Sequence, residues 1–195
     1  GKVVMGALVL NAVAMFCFDV GPSELMAAYT RSAPDFAGFV ISQNAVQHSS
    51  SLFGAVRVFQ AVLWPDTLLS AALSQQILTG YNLAAGLIGL FLLVGIFHKR
   101  TEQWEKITLI VAGVVMLPPV SFDYKLLHAF VAFAAFLSAS TDATTSRIFA
   151  GLFGLVFIPK AFIVLFAETS ISSFLSPLLF LLMAGLILKK VAIRA

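Results

Sequence analysis

Long apolar runs separated by short polar links constrain the fold of this chain more than any other feature. A helix needs about 20 residues to cross the roughly 30 Å hydrocarbon core of a bilayer. Only 11% of the residues are charged, whereas soluble domains carry about 25%. We therefore predict an all-α integral membrane protein in which residues 1–195 form a single membrane domain. The six predicted transmembrane segments cover approximately residues 3–20, 78–97, 106–121, 125–140, 148–167 and 174–190.

The basic residues predict the orientation of these segments. With a cytoplasmic N-terminus and six alternating segments, most of the 12 basic residues fall on the inner side, as the positive-inside rule requires. These residues are Lys2, Lys99, Arg100, Lys106, Arg147, Lys189, Lys190 and Arg194. Both termini are then cytoplasmic, and we expect a bacterial inner (plasma) membrane location. The net charge of +3 reflects these clusters and does not indicate nucleic-acid binding.

The outer connection over residues 21–77 is far too long for a simple turn. A serine among residues 49–51 is placed to cap a helix that begins near Leu52, and Trp64-Pro65-Asp66 ends that helix. One face of this helix carries Leu52, Val56, Phe59 and Leu63, and another carries Arg57 and Gln60. The pattern is typical of a re-entrant or interfacial helical cap over the outer membrane face. It is equally typical of a plain amphipathic helix that rests on lipid headgroups.

The stretch PPVSFDYKLLH, residues 118–128, carries the most concentrated chemistry. It places Asp123, Tyr124, Lys125 and His128 between two apolar segments. Ionisable groups at such a position are costly to desolvate, which favours a functional role. The alternative is a solvated turn between helices.

Lys160 is a second unusual cation, because it follows Pro159 inside the fifth apolar segment. Its amine either extends to the outer headgroups or faces the bundle interior. In the second case, Arg57, Lys125 and Lys160 would form a basic site suited to a phosphate group.

The metal-ligating residue types are too dispersed to predict a metal site. The three histidines are split across the predicted membrane, and Cys17 is the single cysteine. The sequence requires no cofactor, and no paired-acid motif requires a divalent metal.

Three short motifs resemble the family 87 glycosyltransferases, which have the C-type glycosyltransferase membrane fold and include polyprenyl-phosphate-mannose-dependent mannosyltransferases. PPVSFDYKLLH is similar to their proline-serine-aromatic motif in a late membrane helix. The run NAVQHSSSLFGAVR, residues 44–57, resembles their outer-face pattern of asparagine, serine-leucine, a small residue and arginine. Ile158-Pro159-Lys160 resembles a proline-lysine element in the next helix.

The resemblance implies transfer of a sugar from a polyprenyl-phosphate carrier to a lipid or glycan acceptor on the non-cytoplasmic side. It implies that the partners are this donor, the acceptor and membrane lipids. Phosphate binding would then fall to Arg57, Lys125 and Lys160, with hydrogen bonds from His48 and His128, and sugar binding to Asn44 and Tyr124.

The general base that the resemblance implies is an aspartate in the first outer loop, and nothing in this chain matches that loop. We therefore expect the chain to be the C-terminal portion of a longer polytopic enzyme, with the base upstream of Gly1. Asp123 is the substitute candidate, because a carboxylate that faces a sugar hydroxyl can act as a base. Its alternative role is to hold Lys125 or a sugar hydroxyl.

A non-enzymatic polytopic protein is the competing class: a transporter subunit, a scaffold or a lipid-phosphate-binding protein. Convergence of Arg57, Lys125 and Lys160 in one cavity would separate the enzyme and the lipid-phosphate binder from a transporter or scaffold. An acidic residue near that cavity would separate the enzyme from the lipid-phosphate binder.

Overall fold

The computed structural model describes residues 49–63, 71–121, 126–139, 141–158, 163–166 and 169–194, and six single positions between residues 23 and 38. The chain divides into two compact units, Gly1–Phe39 and Val40–Ala195. In the first unit the six described positions are helical, and Thr30 and Arg31 donate side-chain hydrogen bonds to the Ala27 carbonyl. The predicted first segment, residues 3–20, lies outside the described residues. All elements below belong to the second unit.

The described part of the second unit is helical except for one short two-stranded ribbon, which confirms the all-α class. The elements in chain order are α1 (Leu52–Leu63), α2 (Ala71–Phe97), α3 (Gln103–Met116), α4 (His128–Leu137), α5 (Ala143–Phe157), β1 (Val164–Phe166), β2 (Thr169–Ser170) and α6 (Ser172–Arg194). The two strands pair antiparallel.

Two of these helices are long and apolar enough to cross a membrane. The candidate spans are Ala72–Phe97 in α2 and Ser172–Ile193 in α6. Helices α3, α4 and α5 coincide with predicted segments but contain only 14, 10 and 15 residues. At about 1.5 Å per residue, each is shorter than the hydrocarbon core of a bilayer. Six complete spans are therefore not confirmed among the described residues.

Two predicted boundaries are wrong. Helix α5 ends at Phe157 instead of continuing to residue 167, and β1 occupies residues 164–166. Ile158 is already extended, because a following proline disfavours the helical conformation. Helix α2 begins at Ala71, seven residues before the predicted start of the second segment at residue 78.

Aromatic contacts establish that α3, α4 and α5 alternate in direction. Trp104, in the first turn of α3, packs edge-on against Phe136 near the end of α4 and Phe149 near the start of α5. At the other end, Phe130 of α4 stacks on Phe157 of α5 with ring centroids 4.3 Å apart. This alternation agrees with the up-and-down path that the apolar segments predict.

Helix α3 supplies a large part of the buried core. It contacts α2, α4 and α6, and its Leu109, Ala112, Val115 and Met116 are fully buried. The facing residues of α4 include the fully buried Ala129 and Ala132. Small side chains let helix backbones approach closely, which suits packing in a bilayer where no water drives association.

A buried ion pair joins the start of α3 to the end of α6. The Nζ atom of Lys190 lies 2.8 Å from Oε1 of Glu105 and 3.4 Å from Oε1 of Glu102. Trp104 donates its indole N–H to Glu102, and its ring lies 5.5 Å from the Lys190 ammonium. We call Glu102, Glu105 and Lys190 the glutamate–lysine cluster. Because Glu105 is fully buried, its charge depends on Lys190 for compensation.

We predict that Lys190→Met destabilises the protein by about 3–5 kcal/mol, because it leaves the buried Glu105 charge uncompensated. Unfolding of the detergent-solubilised protein by heat or denaturant measures this. Lys189→Met is the matched control, since it removes the same charge at the adjacent, exposed position. The double variant Glu105→Gln, Lys190→Met is expected to recover much of the loss. Equal stability of the two single variants would contradict the structural role of the pair.

Candidate functional site

Helix α1 buries its polar residues among apolar ones such as Phe53 and Val58, and the residues that it exposes are mainly apolar. Leu52, which was predicted to share a face with Val56, is buried. Arg57 and Gln60 are buried, whereas Val56, Phe59 and Leu63 are 45%, 56% and 47% exposed. An amphipathic helix that rests on headgroups holds its polar face toward water. The burial of Arg57 and Gln60 differs from that arrangement, and the re-entrant cap stays a prediction. The burial also follows the rule that ionisable side chains in membranes face the bundle interior.

Arg57 links α1 to the start of α2. One terminal nitrogen of its guanidinium donates to Oε1 of Gln60 at 3.0 Å and also donates to the hydroxyl of Ser74. Burial lowers the pKa of Arg57, because desolvation disfavours the charged form. An arginine nevertheless remains protonated at neutral pH. The bundle therefore holds a fixed positive charge beneath α1.

The two longest sequence motifs meet at the start of α1. The backbone N–H of Ser50 donates to the Ser121 carbonyl at 2.6 Å, and the Ser121 N–H donates to the Ser49 hydroxyl at 3.0 Å. The Ser51 hydroxyl donates to the Pro119 carbonyl at 2.8 Å and lies 2.8 Å from the Ser49 hydroxyl. We give the name serine–arginine cluster to two groups of residues along α1: Ser49, Ser50, Ser51 and Ser121 at its start, and Arg57 with its partners Gln60 and Ser74 further along it. All seven residues are buried.

Ser51 also caps α1, as the sequence predicts. Its hydroxyl accepts a hydrogen bond from the Gly54 N–H at 2.9 Å, which satisfies one of the free donors of the first turn. A Cβ atom added to Gly54 would lie 2.7 Å from the Ser49 carbonyl oxygen. Only glycine therefore fits this position, which gives a physical reason for the small residue in the motif.

Tyr81 of α2 closes the other side of the cluster. Its hydroxyl reaches the carbonyls of Met116 at 3.1 Å and Leu117 at 2.8 Å, where α3 ends before the two prolines. Its ring packs against Phe53 of α1, with centroids 5.2 Å apart. The sequence analysis did not identify Tyr81. The signal for it was a polar aromatic residue one turn into an apolar segment.

Ser121 has a buried hydroxyl without a hydrogen-bond partner among the described residues. The residue is fully buried, and its hydroxyl oxygen makes no hydrogen bond within the described ranges. Buried polar groups normally have a partner, so such a group merits a functional interpretation.

Only part of the predicted site falls within the described residues. Arg57 belongs to the serine–arginine cluster, and His128 is the exposed first residue of α4, seven residues after Ser121. The other predicted residues, Asn44, His48, Asp123, Tyr124, Lys125 and Lys160, lie outside the described residues. Convergence of Arg57, Lys125 and Lys160 therefore stays a prediction.

The described carboxylates of the second unit lie away from this cluster. Glu102 and Glu105 belong to the opposite end of α3, and Asp142 caps the start of α5 by accepting the N–H groups of Thr144 and Thr145. Within the described ranges, no group of three or more His, Cys, Asp or Glu residues is placed to hold a metal ion. The glutamate–lysine cluster was missed from sequence because its charges sit at segment ends, where solvated residues are common.

Comparison of the chain with protein-family models, curated proteins and solved structures finds no match.

We predict that Gly54→Ala destabilises the protein by about 1–3 kcal/mol, because the new methyl group collides with the Ser49 carbonyl and separates the two motifs. The matched control is Gly151→Ala in α5, where an added Cβ has no atom within 4 Å. Alanine is the better helix former by about 1 kcal/mol, so this control is expected to be neutral or stabilising. Unfolding measurements on both variants check this, and a Gly54→Ala variant as stable as Gly151→Ala would contradict the close approach of Gly54 to Ser49.

Proposed function

We propose that the chain binds a polyprenyl-phosphate-linked sugar and forms the C-terminal part of a membrane glycosyltransferase. The acceptor is a lipid or glycan on the non-cytoplasmic side. The supporting observation is the hydrogen bonding between the Ser49–Ser51 segment and the Pro119–Ser121 segment, whose bonded residues are 68 and 72 positions apart in sequence. The resemblance expects these two motifs to share one site, and sequence spacing alone does not bring them together.

Arg57 supplies the charge that such a site needs. The donor phosphate leaves during transfer and gains negative charge, which a preorganised cation stabilises strongly in a dry environment. Gln60 and Ser74 fix the guanidinium in place. In this proposal Lys125, Lys160 and His128 also bind the phosphate, as the resemblance implies.

An apolar groove supports a lipid-linked donor. It lies between α2 and α3, has a volume of about 490 Å³, and opens to the side of the bundle. Three glycines, Gly86, Gly89 and Gly113, keep it open, and Leu117 lines it immediately before the two prolines. Ligand sites typically measure about 300–1,000 Å³. A polyprenyl chain in this groove would run toward the serine–arginine cluster.

We place the chain in a bacterial inner membrane with six segments and both termini in the cytoplasm. Two candidate spans support the membrane location itself. The short helices α3, α4 and α5 are compatible with it, because incomplete helices are tolerated where protein, not lipid, surrounds their ends. The serine–arginine cluster then lies at the non-cytoplasmic end.

A lipid-phosphate-binding protein without chemistry is the second candidate. The position of the described carboxylates favours it. The described carboxylates of the second unit are Glu102, Glu105 and Asp142, and none of these three belongs to the serine–arginine cluster. Under the first proposal, the base is Asp123 or a residue upstream of this chain.

Donor binding tests the shared part of both proposals. We expect the protein in lipid nanodiscs to bind polyprenyl-phosphate-mannose and polyprenyl phosphate. Uncharged polyprenol is expected to bind at least about tenfold more weakly, because each charge-assisted contact contributes about 1.4 kcal/mol or more. We expect Arg57→Gln to weaken phosphate-donor binding about tenfold and Arg147→Gln, at an exposed position near the other end, to leave it within about twofold.

Two controls keep this test decisive. Arg57→Gln changes a buried residue, so its unfolding temperature is measured alongside. His128→Ala changes an exposed residue and is expected to reduce binding without altering stability. Equal affinity for the phosphate donor and for polyprenol would refute a phosphate site at this end.

Sugar transfer separates the two candidates. Radiolabelled polyprenyl-phosphate-mannose and a panel of other polyprenyl-phosphate sugars are supplied to membranes that contain either this chain or the longer reading frame. Transfer that Arg57→Gln abolishes and Arg147→Gln spares supports the glycosyltransferase. Donor binding without transfer by either form leaves the lipid-phosphate-binding protein.

The groove gives an independent prediction. Gly86→Leu places a large side chain in the groove at a position where an added Cβ meets no atom within 4 Å. We expect donor binding to fall about tenfold or more, with little change in stability, because the groove is blocked without a clash. Gly151→Leu makes the same change at an equally open position outside the groove. If both variants bind the donor normally, the lipid chain lies elsewhere.

A further inference from the structure

A second groove lies at the opposite end of the bundle, between the start of α5 and the end of α6. It has a volume of about 340 Å³. Its apolar wall consists of Ile148, Phe149, Leu186 and Ile193, and its polar rim includes Lys189 and Lys190. We call it the lysine-rimmed groove. It is separate from the serine–arginine cluster and plays no part in the function proposed above.

The charged residues around this groove differ in how many ion-pair and hydrogen-bond partners they have among the described residues. Glu102 and Glu105 approach Lys190 from one side, yet an ammonium carries three N–H donors. Lys189 is exposed and forms no ion pair with any carboxylate in the described ranges. Asp142, on the neighbouring helix, already accepts three hydrogen bonds from Thr144 and Thr145. The rim therefore retains donors for an additional anion.

The surrounding end of the bundle is also cationic. Its described basic residues are Lys99, Arg100, Lys106, Arg147, Lys189, Lys190 and Arg194, and its described acidic residues are Glu102, Glu105 and Asp142. Seven positive and three negative charges give a net charge of +4. An anionic ligand is attracted to such a surface.

We propose that the lysine-rimmed groove binds an anionic phospholipid from the membrane leaflet at this end of the bundle. The headgroup phosphate accepts hydrogen bonds from Lys189 and Lys190, and an acyl chain lies along Ile148, Leu186 and Ile193. Basic pockets between helices on the cytoplasmic side of membranes are suited to such headgroups.

The walls of the groove favour a lipid over a soluble phosphate. Ile148 is 44% exposed and Ile193 is 75% exposed, and a free phosphate ion would leave both uncovered. The candidate span of α6 ends at Ile193, so the two lysines lie within one turn of the end of that span. Headgroup phosphates occupy this depth in a bilayer.

The proposal is tested by lipid titration of the purified protein in neutral detergent, followed by native mass spectrometry. In neutral detergent, the added lipid is the only source of anionic headgroups. We expect phosphatidylglycerol to bind saturably and phosphatidylcholine to bind at least about tenfold more weakly. Lys189→Gln is expected to reduce phosphatidylglycerol affinity about tenfold.

Two further variants locate the site. Lys99→Gln removes the same charge from an exposed position at the same end but outside the groove, and we expect a change smaller than about twofold. Ile193→Ser alters only the apolar wall and is expected to weaken phosphatidylglycerol binding while its unfolding temperature is unchanged.

Three results would overturn the proposal. The first is equal weakening by Lys99→Gln and Lys189→Gln, which would reveal general surface charge. The second is binding of inorganic phosphate as tightly as phosphatidylglycerol, which would identify a soluble anion as the ligand. The third is equal affinity for the two phospholipids.

Discussion

The hydrogen bonds at the C-terminal end of α3 are the constraint on which the rest of the candidate site depends. Pro118 and Pro119 carry no backbone N–H groups, so the last carbonyls of α3 need partners from elsewhere. An unsatisfied polar group in an apolar interior costs several kcal/mol. Tyr81 supplies a hydroxyl to Met116 and Leu117, and the Ser51 hydroxyl and Ser50 N–H serve Pro119 and Ser121. Meeting this requirement ties the start of α1 and the residue Tyr81 of α2 to the segment that contains the two prolines.

The two polar clusters are held by different interactions. At one end of the bundle, Lys190 forms ion pairs with Glu102 and Glu105. At the other end, Arg57 donates hydrogen bonds to Gln60 and Ser74, which orient the guanidinium. Under the proposed function, a cation that is already oriented stabilises the leaving phosphate without reorganisation during the reaction.

The sequence predicts the helices better than it predicts what they bury. The apolar runs locate α2, α3, α4 and α6, and the serine run locates the start of α1 at Leu52. The fifth segment was predicted too long because its apolar composition continues past Pro159, where the backbone leaves the helix. The amphipathic pattern of α1 does not predict which residues face the protein. The same pattern occurs in a helix with its polar side in water and in a helix with its apolar side in lipid. The pairing of Ser49 with Ser121 is a long-range contact that local propensity does not encode, and the positions of Lys125 and Lys160 lie outside the described residues.

The inward orientation of Arg57 has a consequence for how a donor would reach the site. The outward face of α1 is apolar, so in a membrane it is stable against lipid rather than against water. Under the proposed function, the phosphate site then lies beneath a lipid-contacting helix and not in an open aqueous cleft. A polyprenyl-linked sugar would enter sideways from the bilayer, with its chain in the groove between α2 and α3 and its phosphate moving past Leu117 toward Arg57. A lipid-linked donor is already concentrated in the bilayer, so this route requires no opening of the bundle to water. It also keeps the cation in the low-dielectric setting where it stabilises a leaving phosphate most strongly.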